Sequence, residues 1–204
     1  MKSIAYIIDD DAAVRDALQW LLQSRGVQSQ AWDSADAFLA SANSELFGCC
    51  LLDVRMPGMS GIELFDRMRA IQCQLPVIFL TGHGDVPMAV KALKDGAFDF
   101  VEKPYDDNAL VDKVLAAFAH DERRIARAES VNLVRQQLAQ LTQREHEVMQ
   151  RILAGKLNKV IADELGIAMR TVEVHRSHIF EKMQVRSAVE LSQRLATLGD
   201  PGVT

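Results

Sequence analysis

Residues 49–61 read CCLLDVRMPGMSG. Four apolar residues lead to one carboxylate, Asp53, and a loop containing proline and glycine follows it. A buried strand that delivers an acid to its carboxyl end and then breaks into such a loop is how open α/β sheets build their sites. Taken alone, Asp53 has a simpler interpretation as a solvated acid at a strand end. Its role therefore depends on what the other strands bring to the same edge.

Strand-like and helix-like segments alternate along residues 1–120. Short apolar or alternating runs predict strands over residues 3–8, 27–32, 49–52, 76–80 and 98–101. Apolar residues at helical spacing predict a helix after each strand, over residues 14–22, 35–42, 62–71, 86–94 and 108–118. Five such alternations predict an α/β fold, a doubly wound five-stranded parallel sheet with helices on both faces.

Polar side chains stand at the carboxyl ends of four predicted strands. They are Asp9, Asp10, Asp53, Thr81 and Lys103. Because the carboxyl ends of parallel strands meet at one edge of a sheet, three acids, a hydroxyl and an amine are expected to converge there. Three carboxylates so close together raise one another's pKa unless a cation lies between them. Their oxygen atoms predict a hard ion, Mg²⁺ or Mn²⁺.

This arrangement predicts a site for phosphoryl transfer. Asp53 is the expected nucleophile, since an acyl phosphate requires an ionised carboxylate. Lys103 can neutralise the charge of the phosphoryl group, and Thr81 can donate a hydrogen bond to it.

These residues make the first part of the chain, residues 1 to about 120, resemble the receiver domain of two-component response regulators, which has a flavodoxin-like fold. The matching motifs are Asp9-Asp10, Asp53 with the RMPGMSG loop after it, Thr81-Gly82 and Lys103-Pro104. The resemblance implies that Asp53 is the phosphoacceptor. The implied metal ligands are Asp9, Asp10, Asp53 and the backbone carbonyl of Arg55. Asp11 has two interpretations, a contact to metal-bound water or the start of the first helix.

The segment GHGDVPMAV, residues 82–90, resembles the FixJ/NarL-type regulators in particular. Within it, His83 lies between two glycines and is interpreted as an exposed loop residue rather than an acid or base. Asp85 is predicted to be the N-cap of the following helix.

A conformational switch is also implied by the resemblance. Phosphorylation adds negative charge and acceptor oxygens, toward which Thr81 would move. Phe100 would follow it inward, although Phe100 also fits a static core aromatic. The switch is expected to drive dimerisation through a face that includes Val90, Lys94 and Asp99.

The charge differs between the two halves of the chain. Residues 1–120 hold 10 Lys/Arg against 17 Asp/Glu, a net charge of −7, whereas residues 121–204 hold 13 against 11, a net charge of +2. The acidic half suits an ion or phosphate site, and the mildly basic half suits nucleic acid. No apolar run approaches the roughly 20 residues of a membrane span, so a cytosolic protein without a membrane partner is expected.

A helical connector is predicted between the two halves. Residues 121–140 contain neither proline nor glycine and no strand pattern. They are interpreted as a solvated linker that extends the fifth helix, between a receiver domain over residues 1–120 and a second domain over residues 141–204. Apolar residues at positions 131, 134, 138 and 141 leave open whether the linker pairs two chains as a coiled coil.

The second half has the pattern of a four-helix, all-α domain. The sequence LTQRE, residues 141–145, predicts a capping box, and Gly166 separates two predicted helices, residues 158–165 and 169–183. Two helices joined by a tight glycine-containing turn predict a helix-turn-helix, although any helical bundle can show this pattern.

Six short motifs make residues 141 to about 198 resemble the LuxR-type DNA-binding domain. They are LTQRE (141–145), GKLNK (155–159), IA (161–162), LGI (165–167), TVEVH (171–175) and KM (182–183). The resemblance implies major-groove contacts from Arg170, Glu173, Val174 and Ser177. It implies phosphate contacts from Lys159, Thr171, His175, Arg176 and Lys182.

Two positions depart from the LuxR-type pattern. Ala168 stands where many relatives carry Ser or Thr, so the recognition helix is expected to lack a side-chain cap. Glu173 stands where a cation is common. It fits either a contact to cytosine or an ion pair with Arg170 or Arg176.

The combined pattern predicts a two-component response regulator that binds DNA. Its implied partners are a sensor histidine kinase, promoter DNA, RNA polymerase and, after phosphorylation, a second copy of itself. It is expected to act without enzymatic turnover apart from self-phosphorylation and slow autodephosphorylation. An aspartyl-phosphate hydrolase is a rival, but such enzymes commonly need an acid where Arg55 stands. A DNA-binding scaffold independent of phosphorylation is a third reading.

Overall fold

The computed structural model describes residues 2–43, 45–82 and 86–199. His83 and Asp85, the predicted loop residue and helix cap, lie outside these ranges. The chain forms two compact units, Met1–Arg124 and Ile125–Thr204. In the described residues, no helix is both long and apolar enough to cross a bilayer.

The first unit is a parallel sheet with helices between its strands. Its elements are β1 (Ile4–Ile8), α1 (Ala12–Ser24), β2 (Gln28–Trp32), α2 (Ala35–Leu39), β3 (Gly48–Asp53), α3 (Gly61–Ala70), β4 (Val77–Thr81), α4 (Val86–Lys94), β5 (Asp99–Glu102) and the first part of α5 (Asp107–Ala139). The strand order is β2-β1-β3-β4-β5, and every pairing is parallel. The predicted doubly wound sheet is therefore confirmed.

Strand β3 lies at the centre of the sheet, and all six of its residues are buried. Alternate residues face two apolar clusters, with Cys50 and Leu52 on one side and Cys49 and Leu51 on the other. This explains why the strand is a continuous apolar run: both of its faces are covered by helices. The run ends when Asp53 emerges at the carboxyl edge.

Two glycines permit the close approaches around β3. Gly48 has a φ of +130°, and a Cβ atom there would lie 2.0 Å from the carbonyl oxygen of Ile4. A Cβ atom on Gly61 would lie 2.1 Å from the carbonyl oxygen of Asp53. Glycine at position 61 therefore lets α3 begin directly against the end of β3, with Ser60 and Glu63 forming a capping box.

Helix α5 is 33 residues long and continues through the segment that the sequence assigns to a linker. The segment is helical, as predicted, but it is not solvated throughout. Asp121 is fully buried in the first unit, where its carboxylate accepts hydrogen bonds from Gly48 N (3.0 Å) and Arg124 Nε (2.8 Å). Within the second unit Val131 and Val134 are buried as well. The prediction of a solvated linker was wrong at these positions because helix packing covers one side of α5.

Up to residue 199, the second unit contains four short helices besides the end of α5. They are α6 (Gln143–Leu153), α7 (Asn158–Leu165), α8 (Met169–Lys182) and α9 (Ala188–Ala196). Their buried faces share one core, which includes Val148, Ile161, Val172 and Ile179. Gly166, in the left-handed conformation with φ +63°, ends α7 and turns the chain into α8. The predicted four-helix domain is confirmed.

Candidate functional site

Three strands bring two acids and one lysine together at the carboxyl edge of the sheet. Lys103 Nζ donates to Asp9 Oδ2 at 2.8 Å and to Asp53 Oδ1 at 2.6 Å. Asp9 is 1% exposed and Asp53 is 8% exposed. Two largely buried carboxylates therefore share one ammonium group, which offsets their repulsion.

Burial and charge act in opposite directions on this cluster. Burial raises the pKa of Asp53, and the nearby Asp9 carboxylate raises it further, while Lys103 and the Arg55 amide lower it; the net effect is upward. Burial disfavours the charged form of Lys103, but its hydrogen bonds to both carboxylates prevail, and its pKa lies above its ordinary value. Lys103 is therefore held as a cation beside Asp53 Oδ1.

Asp10 and Asp11 do not take part in the contact between Asp9, Asp53 and Lys103. Asp10 is exposed, and within the described ranges its carboxylate makes no hydrogen bond or ion pair. Both residues follow the end of β1 at Ile8, and there Asp9 is buried whereas Asp10 is exposed. The Asp11 carboxylate accepts from Ala13 N at 2.8 Å and caps α1, which is the second of the two interpretations of this residue.

The oxygen atoms at this edge fit a hard divalent cation. Asp9 and Asp53 already share one cationic group, and Arg55 N donates to Asp53 Oδ2 at 2.7 Å. No group of three or more His, Cys, Asp or Glu side chains close enough to hold a metal is found among residues 2–43, 45–82 and 86–199. Mg²⁺ needs only one or two protein carboxylates, because it retains several waters.

Thr81 and Phe100 occupy neighbouring strands beside the acid pocket. Thr81 is fully buried, and its hydroxyl donates a long hydrogen bond of 3.5 Å to the carbonyl of Val101. Phe100 is half-buried and packs against the apolar cluster beneath α3 and α4. Their part in a switch stays a prediction.

The predicted dimer face contains two exposed residues of α4 and one residue of β5. Val90 is 40% exposed, and Lys94 is also exposed. Asp99 forms an ion pair with Lys113 of α5 in the same chain. A partner chain that used Asp99 would therefore have to share or displace this lysine.

Helix α8 presents a polar face to solvent. Val172 and Ile179 point into the core. The predicted contacts on its exposed face are Arg170, Thr171, Glu173, Val174 and Ser177, and Lys159 is exposed on α7. Glu173 forms no ion pair with Arg170 or Arg176 in the part of the chain described.

Three of the predicted phosphate contacts on α8 are only half-exposed. The Arg176 guanidinium lies 5.4 Å from the centroid of the Phe180 ring. His175 Nδ1 is buried and has no hydrogen-bond partner in the described ranges. Lys182 Nζ donates to Glu145 Oε2 at 2.7 Å and to the carbonyl of Gln140 at 3.2 Å, so a phosphate would compete with that carboxylate.

Glu145 is a structural residue of this unit that the sequence identifies only as a cap. The capping box between Thr142 and Glu145 is confirmed, and Ala168 begins α8 without a side-chain cap, as predicted. Glu145 is also 3% exposed. Burial opposes its charge, but hydrogen bonds from Lys182 and Thr142 lower its pKa to about 2. The pair joins the start of α6 to the end of α8.

Two families match the two parts of the chain. Residues 5–115 match the family described as response regulator receiver domain. Residues 139–195 match the family described as bacterial regulatory proteins, luxR family.

Several relatives match nearly the whole chain. The C4-dicarboxylate transport transcriptional regulatory protein DctR of Rhodobacter capsulatus is 49% identical, over 95% of this chain and 99% of the relative. The transcriptional regulatory protein FixJ of Bradyrhizobium diazoefficiens is 45% identical, over 98% of each chain. Among solved structures, the response regulator StyR is similar with a TM-score of 0.89 and 41% identity, over 96% of this chain and 99% of that one.

Proposed function

Because this chain belongs to the two-component response regulators that join a receiver domain to a LuxR-type DNA-binding domain, we propose that Asp53 is the residue through which a sensor histidine kinase controls its binding to DNA. The observation that carries the proposal is the pocket in which Asp53, Asp9 and Lys103 meet from three strands. As in its relatives, the output is regulation of transcription.

The chemistry required of Asp53 is a single phosphoryl transfer. One carboxylate oxygen attacks the phosphorus of the donor, the bond from phosphorus to the donor breaks, and an acyl phosphate forms. Lys103 neutralises the added charge, since its ammonium already contacts Asp53. The residues that would hold Mg²⁺ or Mn²⁺ are Asp9, Asp10, Asp53 and Arg55 through its carbonyl. The ion, when bound, supplies positive charge to the phosphoryl oxygens.

Phosphorylation would change the conformation of the receiver domain through Thr81 and Phe100. Among the residues described, the Thr81 hydroxyl donates one long hydrogen bond, which it could exchange for one to the phosphoryl group. Phe100 is half-buried and can follow it. The resulting change would favour dimerisation through the face of Val90, Lys94 and Asp99. Two joined DNA-binding domains then bind more tightly than one, because the second contact is intramolecular.

On DNA, α8 would enter the major groove. Exposure supports base contacts from Arg170, Glu173, Val174 and Ser177, and phosphate contacts from Lys159 and Thr171. His175, Arg176 and Lys182 complete the proposed phosphate contacts. RNA polymerase is a further proposed partner, and the cytoplasm is the proposed compartment, since promoter DNA is there.

Incubation with acetyl phosphate and Mg²⁺, followed by intact-mass measurement, tests the proposal. We expect one phosphoryl group on the full chain and none on Asp53→Asn, which preserves the size of the side chain. Slow loss of the group accounts for the only turnover expected. A wild-type chain that stays unmodified would favour a phosphorylation-independent scaffold, and rapid hydrolysis of phosphate esters would favour a hydrolase.

Sedimentation of the same samples tests the output. The mass is expected to double only for the phosphorylated wild type. Affinity for promoter DNA is expected to rise with it. An unchanged sedimenting mass after full phosphorylation would refute the dimerisation step while leaving the acceptor assignment intact.

A further inference from the structure

Arg15 is a charged residue of the first helix that reaches back to the acid motif. Its Nη1 donates to the carbonyl oxygen of Asp9 at 2.7 Å and to the carbonyl oxygen of Asp10 at 2.9 Å. A single nitrogen thus joins two consecutive peptide groups at the point where β1 ends. Arg15 is half-buried, so these bonds are partly shielded from water.

Helix stability does not explain this placement. Arg15 is in the first turns of α1, where the positive end of the helix dipole disfavours a cation. Its hydrogen bonds go to the turn before the helix instead of to the helix itself. The side chain therefore acts on the backbone that carries Asp9 and Asp10.

The two acids of this turn are held in different ways. The Asp9 carboxylate has two donors of its own, Asp11 N at 2.9 Å and Lys103 Nζ at 2.8 Å. The Asp10 carboxylate has no partner in the described ranges. The position of Asp10 therefore depends on its backbone, and Arg15 donates a hydrogen bond to the carbonyl of that residue.

We propose that Arg15 is a positioning residue that sets the direction in which Asp10 meets the divalent cation. This inference rests on the proposed function, in which Asp10 is a metal ligand. A positioning role and a purely electrostatic role predict opposite effects of removing Arg15 on the affinity for Mg²⁺. A cation near a metal site repels the metal, so its removal alone would tighten Mg²⁺ binding. Loss of a positioning hydrogen bond weakens it instead.

Calorimetric titration of the full chain with Mg²⁺ distinguishes these roles without any phosphodonor. Arg15→Met, which keeps an unbranched side chain but removes the donor and the charge, is expected to raise the Kd about tenfold or more. Arg15→Lys, which can bridge both carbonyls with one nitrogen, is expected to stay within about threefold of the wild type. Unchanged or tighter binding by Arg15→Met would overturn the proposal.

A double-mutant cycle with Asp10→Asn makes the test specific. If Arg15 acts through Asp10, Arg15→Met adds nothing once Asp10 is replaced, whereas an additive loss overturns the proposal. Circular dichroism in EDTA checks that each variant is folded, and Arg15→Ala replaces Arg15→Met if the latter is not. Failure of the wild type to bind Mg²⁺ would refute the proposed function as well as the role of Arg15. If the wild type binds Mg²⁺ but no more tightly than Arg15→Met does, only the role of Arg15 is refuted.

Discussion

Replacement of Lys103 by methionine should make the stability of the receiver domain depend on Mg²⁺. The change removes the ammonium group that lies 2.8 Å from Asp9 and 2.6 Å from Asp53, and it keeps a side chain of similar length. Two carboxylates, 1% and 8% exposed, are then left without their shared cation. We expect the protein to be destabilised in EDTA and largely restored by the metal.

The size of the effect follows from the burial of the pair. Removal of one partner from a buried ion pair costs about 3–5 kcal/mol. The Lys103 side chain is 27% exposed, so we expect the lower end, about 3 kcal/mol. For a domain of this size that corresponds to a fall in Tm of roughly 10 °C. Mg²⁺ at about a hundred times its Kd would return about 2.7 kcal/mol.

The stability lost in Lys103→Met should also depend on pH. Burial and Asp9 raise the pKa of Asp53, and loss of the lysine raises it further. A raised folded-state pKa means that protonation favours the folded form, so the variant recovers stability as pH falls and is weakest at high pH.

Thermal melts in EDTA and in MgCl₂ measure the loss of stability in Lys103→Met and its restoration by the metal. Lys91→Met, which removes an exposed lysine of α4, is the matched control. A Lys103→Met protein that melts like this control in EDTA would refute the reasoning, and so would one that gains no more from Mg²⁺ than the wild type.

Three further predictions concern other parts of the chain. Glu145→Gln should speed amide exchange in α6 and α8 at neutral pH, because it lowers the free energy of opening by about 3 kcal/mol. A folded-state pKa below the ordinary value contributes stability above pH 4.5 that is lost as the pH falls toward about 2, so the difference between the variant and the wild type should shrink over that range. Ala168→Ser should stabilise the second unit by about 1 kcal/mol in urea unfolding by adding the missing cap of α8. Gly61→Ala should reduce phosphorylation from acetyl phosphate, since its Cβ atom would lie 2.1 Å from the carbonyl oxygen of Asp53. Gly58→Ala should reduce it far less, because its cost is limited to a left-handed φ of +75° and its Cβ atom would meet nothing within 4 Å.

Most of the fold and the central acids could be predicted because they leave local signals. Strand β3 is a continuous apolar run with both faces buried, and its end is marked by Asp53 and the proline-glycine loop. The rule that carboxyl ends of parallel strands meet then brings Asp9 and Lys103 to the same place. The sequence also predicts the capping box before α6 and the uncapped start of α8 from residue types at two or three positions.

What could not be predicted are pairings between residues far apart in the chain. Asp121 is buried against Gly48, 73 residues away, and Glu145 pairs with Lys182, 37 residues away. Either acid fits a solvated helix surface when only its neighbours in sequence are considered. Burial of such a charge depends on which helix covers it, and periodicity carries no information on that. The contact that Arg15 makes could not be predicted from residue types either, because its partners are the backbone carbonyls of Asp9 and Asp10.

The ion pair between Glu145 and Lys182 has a consequence for how the protein distinguishes one DNA site from the rest. Residues 121–204 carry a net charge of only +2, and Lys182, at the end of α8, is already paired with Glu145 within the domain. A protein gains non-specific affinity for DNA mainly by releasing counterions from phosphates, with a salt slope of about 0.9 per phosphate neutralised. While Lys182 stays paired with Glu145, the domain has one cation fewer for neutralising phosphates, and it releases correspondingly fewer counterions. A single copy should therefore leave random genomic DNA quickly, and under the proposed dimerisation an operator that binds two copies would hold them longer.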